Sequence, residues 1–296
     1  MTRTRIARGV AATLALALVS ATHGCGAHQG GASGSRSDAQ QPPAADSITV
    51  GLWRFNETAG ARNGDSGPFR LDGTAGIDAR SDFGRFSGGR RFQRSLQSFV
   101  FVPTNPVLQP PDLFTCETWI NPSAFGQYEL TPIAACWSEE PGYQSWLFAL
   151  GGELLRPPIA RLASPGFFAP LVTGPIPGKL VFALMPEDAG AGRLFVSARP
   201  VRLDRWTHVA VTFDGRIVKF YLDGLLDSQY AYAGRIRQSP SPLVIGNYLQ
   251  VNYLTGFGGY LRAEQSDQNP YYALVGALDE LRISNAVRTE FPKVAR

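Results

Sequence analysis

A reactive centre in this chain of 296 residues would have to be built from three histidines, three cysteines and 24 acidic residues. General acid and base hydrolysis needs two carboxylates facing one substrate. The acidic pairs are Glu139-Glu140, Glu187-Asp188 and Asp279-Glu280, each of immediate neighbours. In an extended segment such neighbours leave on opposite faces, and no Glu-x-Asp-x-x-Glu run sets several carboxylates along one face. His208 lies between Trp206 and Val209 in a strand-like run, where a packed histidine is expected. No Gly-x-Ser-x-Gly turn accompanies it. Catalysis is therefore not expected, with no catalytic residue assigned. The scarcity of His and Cys also excludes a zinc site of several such ligands.

Binding chemistry is better supplied. Asp65 stands in the turn Gly64 to Gly67 and offers a carboxylate beside loop carbonyls, the oxygen donors that calcium takes. A stretch from 248 to 274 holds Tyr248, Tyr253, Phe257, Tyr260, Tyr271 and Tyr272 among the glycines Gly256, Gly258 and Gly259. Aromatic faces stack on the C–H edges of sugars, and Asn247, Asn252, Gln265 and Asn269 add amides for sugar hydroxyls. The alternative is a folded loop whose aromatics cover an edge of the domain. Arg80, Arg85, Arg90, Arg91 and Arg94 form the densest basic run, with Asp78 and Asp82 close enough in sequence to neutralise part of it. They suit either an acidic polysaccharide or a solvated face.

The N-terminus accounts for most of the net charge of +4. Arg3, Arg5 and Arg8 precede the apolar run Val10 to Val19 and small residues to Gly24. This is the pattern of an export signal over 1–24, too short to span a bilayer. Its removal takes three arginines and no acid, leaving 25 basic against 24 acidic residues, so nucleic acid is not an expected partner. Cys25 follows directly and resembles the lipidated cysteine of a bacterial lipoprotein, although Thr22 stands where such sites usually carry leucine. Residues 25–46, rich in Gly, Ser, Ala, Gln and Pro, read as a flexible tether. The membrane is expected as a partner only through Cys25.

Residues 47–296 must then position the rest, and they read as strand after strand. Ile48–Phe55, Phe99–Val102, Leu113–Ile120, Pro132–Trp137, Gly142–Leu150 and Trp206–Asp223 are apolar or alternating, separated by Asn-Gly, Asp-Gly and Gly-Pro signals. A two-residue turn at Asp214-Gly215 predicts the pairs Phe213–Arg216, Val211–Val218 and Val209–Phe220. Symmetric pairing about a turn near Gly126 sets Cys116 opposite Cys136 and Trp119 opposite Ile133. In an exported chain these two cysteines suit a cross-strand disulfide or two buried free thiols.

Four stretches carry a family resemblance: GLWRFNETAG with DSGPFRLDGTAG (51–60, 65–76), FTCETWINP (114–122), RWTHVAVTFDGRIVKFYLDGLL (205–226), and PLVIGNY with GALDELRISNAVRT (242–248, 276–289). In that order they resemble the laminin-G-like, concanavalin A-like jelly-roll domains of bacterial exported proteins. Arg91-Phe92-Gln93-Arg94 departs from the family's Phe-Asp-Gly, and 249–274 is longer than the corresponding stretch in relatives. The resemblance implies an all-β jelly-roll β-sandwich of two antiparallel sheets. It also implies that Asp279 and the Asn56 carbonyl lie near Asp65 as a calcium site. The expected function is an exported, lipid-anchored module that binds a glycan or a surface protein, with calcium as its cofactor. The alternatives are a structural or adhesive surface domain and, third, a glycoside hydrolase.

Overall fold

The structure is a computed structural model that describes residues 41–126, 130–138, 140–153, 176–188, 191–249, 254–263 and 272–294. The expected export signal, Cys25 and the expected tether up to residue 40 lie outside the described residues.

Eighteen strands form among the described residues. They are β1 (Thr49–Trp53), β2 (Arg62–Asn63), β3 (Gly73–Ala75), β4 (Arg80–Phe83), β5 (Gly88–Phe92) and β6 (Val100–Val102). Next come β7 (Phe114–Ala124), β8 (Leu130–Trp137), β9 (Gln144–Gly151), β10 (Lys179–Leu184), β11 (Arg193–Pro200) and β12 (Thr207–Phe213). The last are β13 (Ile217–Leu222), β14 (Leu225–Ala231), β15 (Leu243–Ile245), β16 (Leu254–Phe257), β17 (Tyr260–Ala263) and β18 (Val275–Ser284). The first sheet runs β14-β13-β12-β7-β18-β5-β4, with β1 also paired to β18; the second runs β11-β10-β9-β8-β15-β6-β3-β2; β16 and β17 form a separate hairpin. All of these strand pairings are antiparallel. The expected all-β sandwich of two antiparallel sheets is what forms.

Alternation decides which side chains fill the space between the sheets. Phe114, Cys116 and Ile120 of β7, Val209, Val211 and Phe213 of β12, and Val218, Phe220 and Leu222 of β13 enter the main core from one sheet. Trp146, Phe148 and Leu150 of β9 and Leu180, Phe182 and Leu184 of β10 meet them from the other. Phe114 anchors the contact, its ring 4.9 Å from Trp146 and 5.6 Å from Phe182.

Two expected registers are corrected. In the β12–β13 hairpin Phe213 faces Val218, Val211 faces Phe220 and Val209 faces Leu222. The Asp214 carboxylate accepts from the N–H groups of both Arg216 and Ile217. This bracing lengthens the loop, and only Gly215 takes a positive φ there. A slip of two residues preserves the alternation, so the core face is the one expected. The second correction concerns the cysteines. β7 pairs with β12 and β18, whereas β8 pairs with β9 and β15, so Cys116 and Cys136 belong to different sheets. Both are free and buried in the shared core.

Candidate functional site

The outer face of the first sheet carries most of the buried polar chemistry, and it is closed. Glu117 of β7 is fully buried; its Oε1 accepts from Arg282 at 2.6 and 2.8 Å, and its Oε2 lies 3.1 Å from His208 Nε2. Burial pushes this carboxyl up, but His208 and Arg282 outweigh it and hold its pKa below the ordinary value. Arg282 also donates to the carbonyl of Ala44, Arg54 to that of Pro43, and Arg288 grips the Asp46 carboxylate. The end of the expected tether is therefore bonded across this sheet. From the other end of the chain, Phe291 covers His208 and Tyr221, at ring distances of 5.7 and 4.6 Å.

Asp279 and Glu280 were expected on opposite faces. A register shift between Asp279 and Arg282, with Glu280 at φ 53°, makes a bulge there. Both carboxylates thus leave the strand between the core-facing Leu278 and Leu281. Burial raises the Asp279 pKa to about 6 against the N–H groups of Phe86 and Arg85, and raises that of Glu280 to about 7 against Arg54. Two carboxyls poised near neutrality recommend a catalytic pair. Both, however, are almost wholly covered, with no substrate path to them. Of the other acidic pairs, Glu139 lies outside the described residues and Glu187 is paired with Arg235 at 2.9 Å.

The three expected calcium donors have separate duties. Asp65 Oδ1 accepts from Leu52 and Gly67, and its Oδ2 from Leu71. Its carboxylate caps its own turn and ties it to β1. Asn56 Oδ1 accepts from Gly88, and Asp279 Oδ2 from Arg85 and Phe86. Among the described residues no three His, Cys, Asp or Glu side chains converge on a possible ion. Asp279 Oδ1 is buried and left without a hydrogen-bond partner.

Of the aromatic candidates, Tyr253 and Tyr271 lie outside the described residues, as do Asn252, Gln265 and Asn269, and only the backbone of Phe257 lies inside them. Tyr248 is 3% exposed. It packs with Trp137, Leu147 and Val181 on the outer face of the second sheet, with Tyr272 against it at 5.8 Å. Asn247 is buried and bonds to the carbonyls of Ser95 and Ser98. The β16–β17 hairpin lays Leu254 and Leu261 on a cluster around Phe99 and Val244, and Tyr260 packs against the main core. Of the three whose side chains are described, Tyr248 is buried, while Tyr260 and Tyr272 are half-buried. In the basic run Arg80 pairs with Asp78, Arg91 with Asp82, Arg85 lies 4.9 Å over the Trp119 ring, and Arg90 is buried.

An open cleft of about 390 Å³ lies elsewhere, where the edge strands β11 and β14 of the two sheets meet. Three arginines, Arg199, Arg202 and Arg205, and one carboxylate, Asp223, line it with Pro200 and Leu225. Its walls are fixed. The Val201 N–H donates to Gly178, that of Asp204 to Pro122, and Asp223 exchanges backbone and side-chain bonds with His208. Asp227, its side chain wholly buried, holds Arg199 at 2.7 Å. Arg205 stands 3.5 Å from Asp223. Arg202 is exposed and forms no ion pair or hydrogen bond among the described residues. The sequence signal for this cleft was the Arg-x-x-Arg-x-x-Arg spacing of 199–205 just before β12; a denser run of arginines elsewhere obscured it.

The fold defines the class: a two-sheet antiparallel β-sandwich. Residues 173–290 match the laminin-G-type model of the concanavalin A-like lectin/glucanases superfamily. No curated protein matches the chain. Among solved structures, the binding domain of Paraclostridial Mosquitocidal Protein 1 is similar over 81% of this chain and 49% of its own, at 13% identity and a TM-score of 0.53. The binding domain of botulinum neurotoxin serotype G is similar over the same shares, at 12% identity and 0.52. A structure concerned with type C neurotoxin, whose cell entry depends upon interaction with two ganglioside molecules, covers 81% of this chain and 48% of its own, at 10% identity and 0.50. The chain thus spans about half the length of these structures, and at such identities the likeness is one of fold.

Proposed function

We propose that this protein is a non-catalytic binding module that recognises a glycan or a surface protein at the cleft between β11 and β14. The observation that carries the reading is Arg202. It is a guanidinium without a partner among the described residues, at the mouth of an open cleft whose other walls are held by hydrogen bonds. A site organised before the ligand arrives loses less entropy on binding. The fold-level neighbours support the class, since two are named as binding domains and a third is described through its interaction with gangliosides. Catalysis is not part of the proposal, because the carboxyls with shifted pKa values sit away from the cleft and out of reach of substrate.

Export and lipidation belong to the same proposal. Residues 1–24 direct the chain outward, Cys25 carries the lipid, and the segment beyond it holds the sandwich off the membrane. A mass shift of a diacylglyceryl group on Cys25 tests this; an unmodified Cys25 in protein from its native envelope sinks it. Calcium enters only as a stabiliser beside Asp279, whose Oδ1 is buried and without a hydrogen-bond partner. Unchanged melting in calcium and in chelator removes it. The module itself is tested by screening the full chain against arrayed glycans and cell-surface proteins, with product analysis of whatever binds. Failure to bind any of them overturns the reading, and cleavage of a bound glycan replaces it with a hydrolase.

A further inference from the structure

Resting on that reading of the cleft, we infer that its ligand is an acidic saccharide and that Arg202 receives the carboxylate of a uronic acid residue.

Charge bookkeeping around the cleft points to a single anionic group. Of the three arginines, Arg199 already donates its Nε to Asp227 Oδ1, and Asp227 Oδ2 is taken by the Ala198 N–H. Arg205 reaches Asp223 only at 3.5 Å, and Asp223 Oδ1 is engaged with the His208 N–H. That leaves one uncommitted guanidinium, Arg202, and one loosely held beside it. A planar fork of N–H donors matches a carboxylate in bidentate fashion. A densely sulfated chain needs several free cations in register, and in the basic run Arg80 and Arg91 are ion-paired and Arg90 is buried.

The rest of the lining suits a sugar ring. Pro200 and Leu225, the latter 38% exposed, give an apolar surface for its C–H face. The volume of about 390 Å³ falls in the range of small-ligand sites, about 300–1,000 Å³. A protein partner would need a face of about 800 Å². A short stretch of saccharide with one charge is the occupant that uses both halves of the cleft.

Immobilised polygalacturonate, heparin and neutral galactan distinguish the possibilities, using the full chain, Arg202→Ala, Arg202→Lys, and Arg91→Ala as a control remote from the cleft. The expected result is retention on polygalacturonate, weakened about 10- to 100-fold by Arg202→Ala, the loss expected for one charge-assisted contact of about 1.5–3 kcal/mol. Arg202→Lys should recover part of it, Arg91→Ala should match the parent, and added salt should weaken all of them. Arg202 is exposed, so its loss leaves folding intact. Retention on polygalacturonate that Arg202→Ala leaves unchanged overturns the inference. Stronger, Arg202-dependent retention on heparin moves the anion to a sulfate ester and also overturns it. Binding to galactan alone overturns the acidic ligand but keeps the glycan-binding module, whereas binding to no glycan and no surface protein removes both.

Discussion

Glu117 and His208 meet across the β7–β12 pairing with Oε2 and Nε2 3.1 Å apart, both buried, while Arg282 occupies the other carboxylate oxygen at 2.6 Å. Three strands and both ends of the domain are tied to this one carboxylate. Arg282 and Arg288 also hold residues 44 and 46, and Arg288 stands 3.6 Å from Glu117.

Removing that charge should therefore be severe. In Glu117→Gln the buried Arg282 loses its counter-ion, and breaking a buried pair in this way costs about 3–5 kcal/mol. The expected outcome is a large fall in the denaturation midpoint together with protease cleavage near residues 41–46. A midpoint within about 1 kcal/mol of the parent would show that the network is not what holds the segment down.

The network was hard to read from sequence because its partners are distant: His208 lies 91 residues from Glu117, and Arg282 lies 165. Local signals revealed the strands and their core faces, since alternation survives even a two-residue slip such as the one at Asp214-Gly215. They did not reveal which sheet a strand joins, so Cys116 and Cys136 were set on neighbours when β7 and β8 lie in opposite sheets. Nor did they show that a bulge turns Asp279 and Glu280 to one side. The aromatic stretch is ambiguous for a related reason. A tyrosine that fills a core and one that stacks on a sugar share the same letter, and only burial separates Tyr248 from a ligand-facing ring.

Asp279 makes the protein's stability depend on pH in an unusual direction. Its carboxyl titrates near 3.8 when unfolded and at about 6 when folded, and Glu280 moves from 4.5 to about 7. Between those values the folded state binds more protons, so the contribution of this pair declines as pH rises from about 4 to about 7. Asp279→Asn should then melt higher than the parent at pH 7.5 in chelating buffer, by an amount on the order of 1–2 kcal/mol. The advantage should fade near pH 4.5, where the parent is already protonated. An advantage independent of pH would mean that Asp279 does not titrate in this window.

Cys116 and Cys136 should behave as inert thiols. Burial raises both pKa values well above the ordinary range, and the thiolate is the reactive form. A maleimide reagent should label neither in the native domain and both after denaturation without reductant, read by intact mass. Labelling that needs reductant would show that the two are bridged.

Arg90 supplies the sharpest contrast with Glu117. It is 1% exposed and faces the interior beside the core residue Phe92. Its Nη1 donates to the Ala79 carbonyl, but its Nε and Nη2 have no partner. Burial lowers its pKa, and the Glu57 carboxylate opposes this at longer range while its own Oε2 also lacks a partner. A buried charge so poorly compensated contributes little that an apolar side chain of similar length would not. Arg90→Met should therefore match or exceed the parent in a urea midpoint, where Glu117→Gln loses several kcal/mol. The double variant Arg90→Met with Glu57→Gln should not recover stability beyond the single change, because no direct pair is broken. A loss of more than about 3 kcal/mol in Arg90→Met alone would mean that ordered water or an anion completes the guanidinium's bonds inside the sandwich.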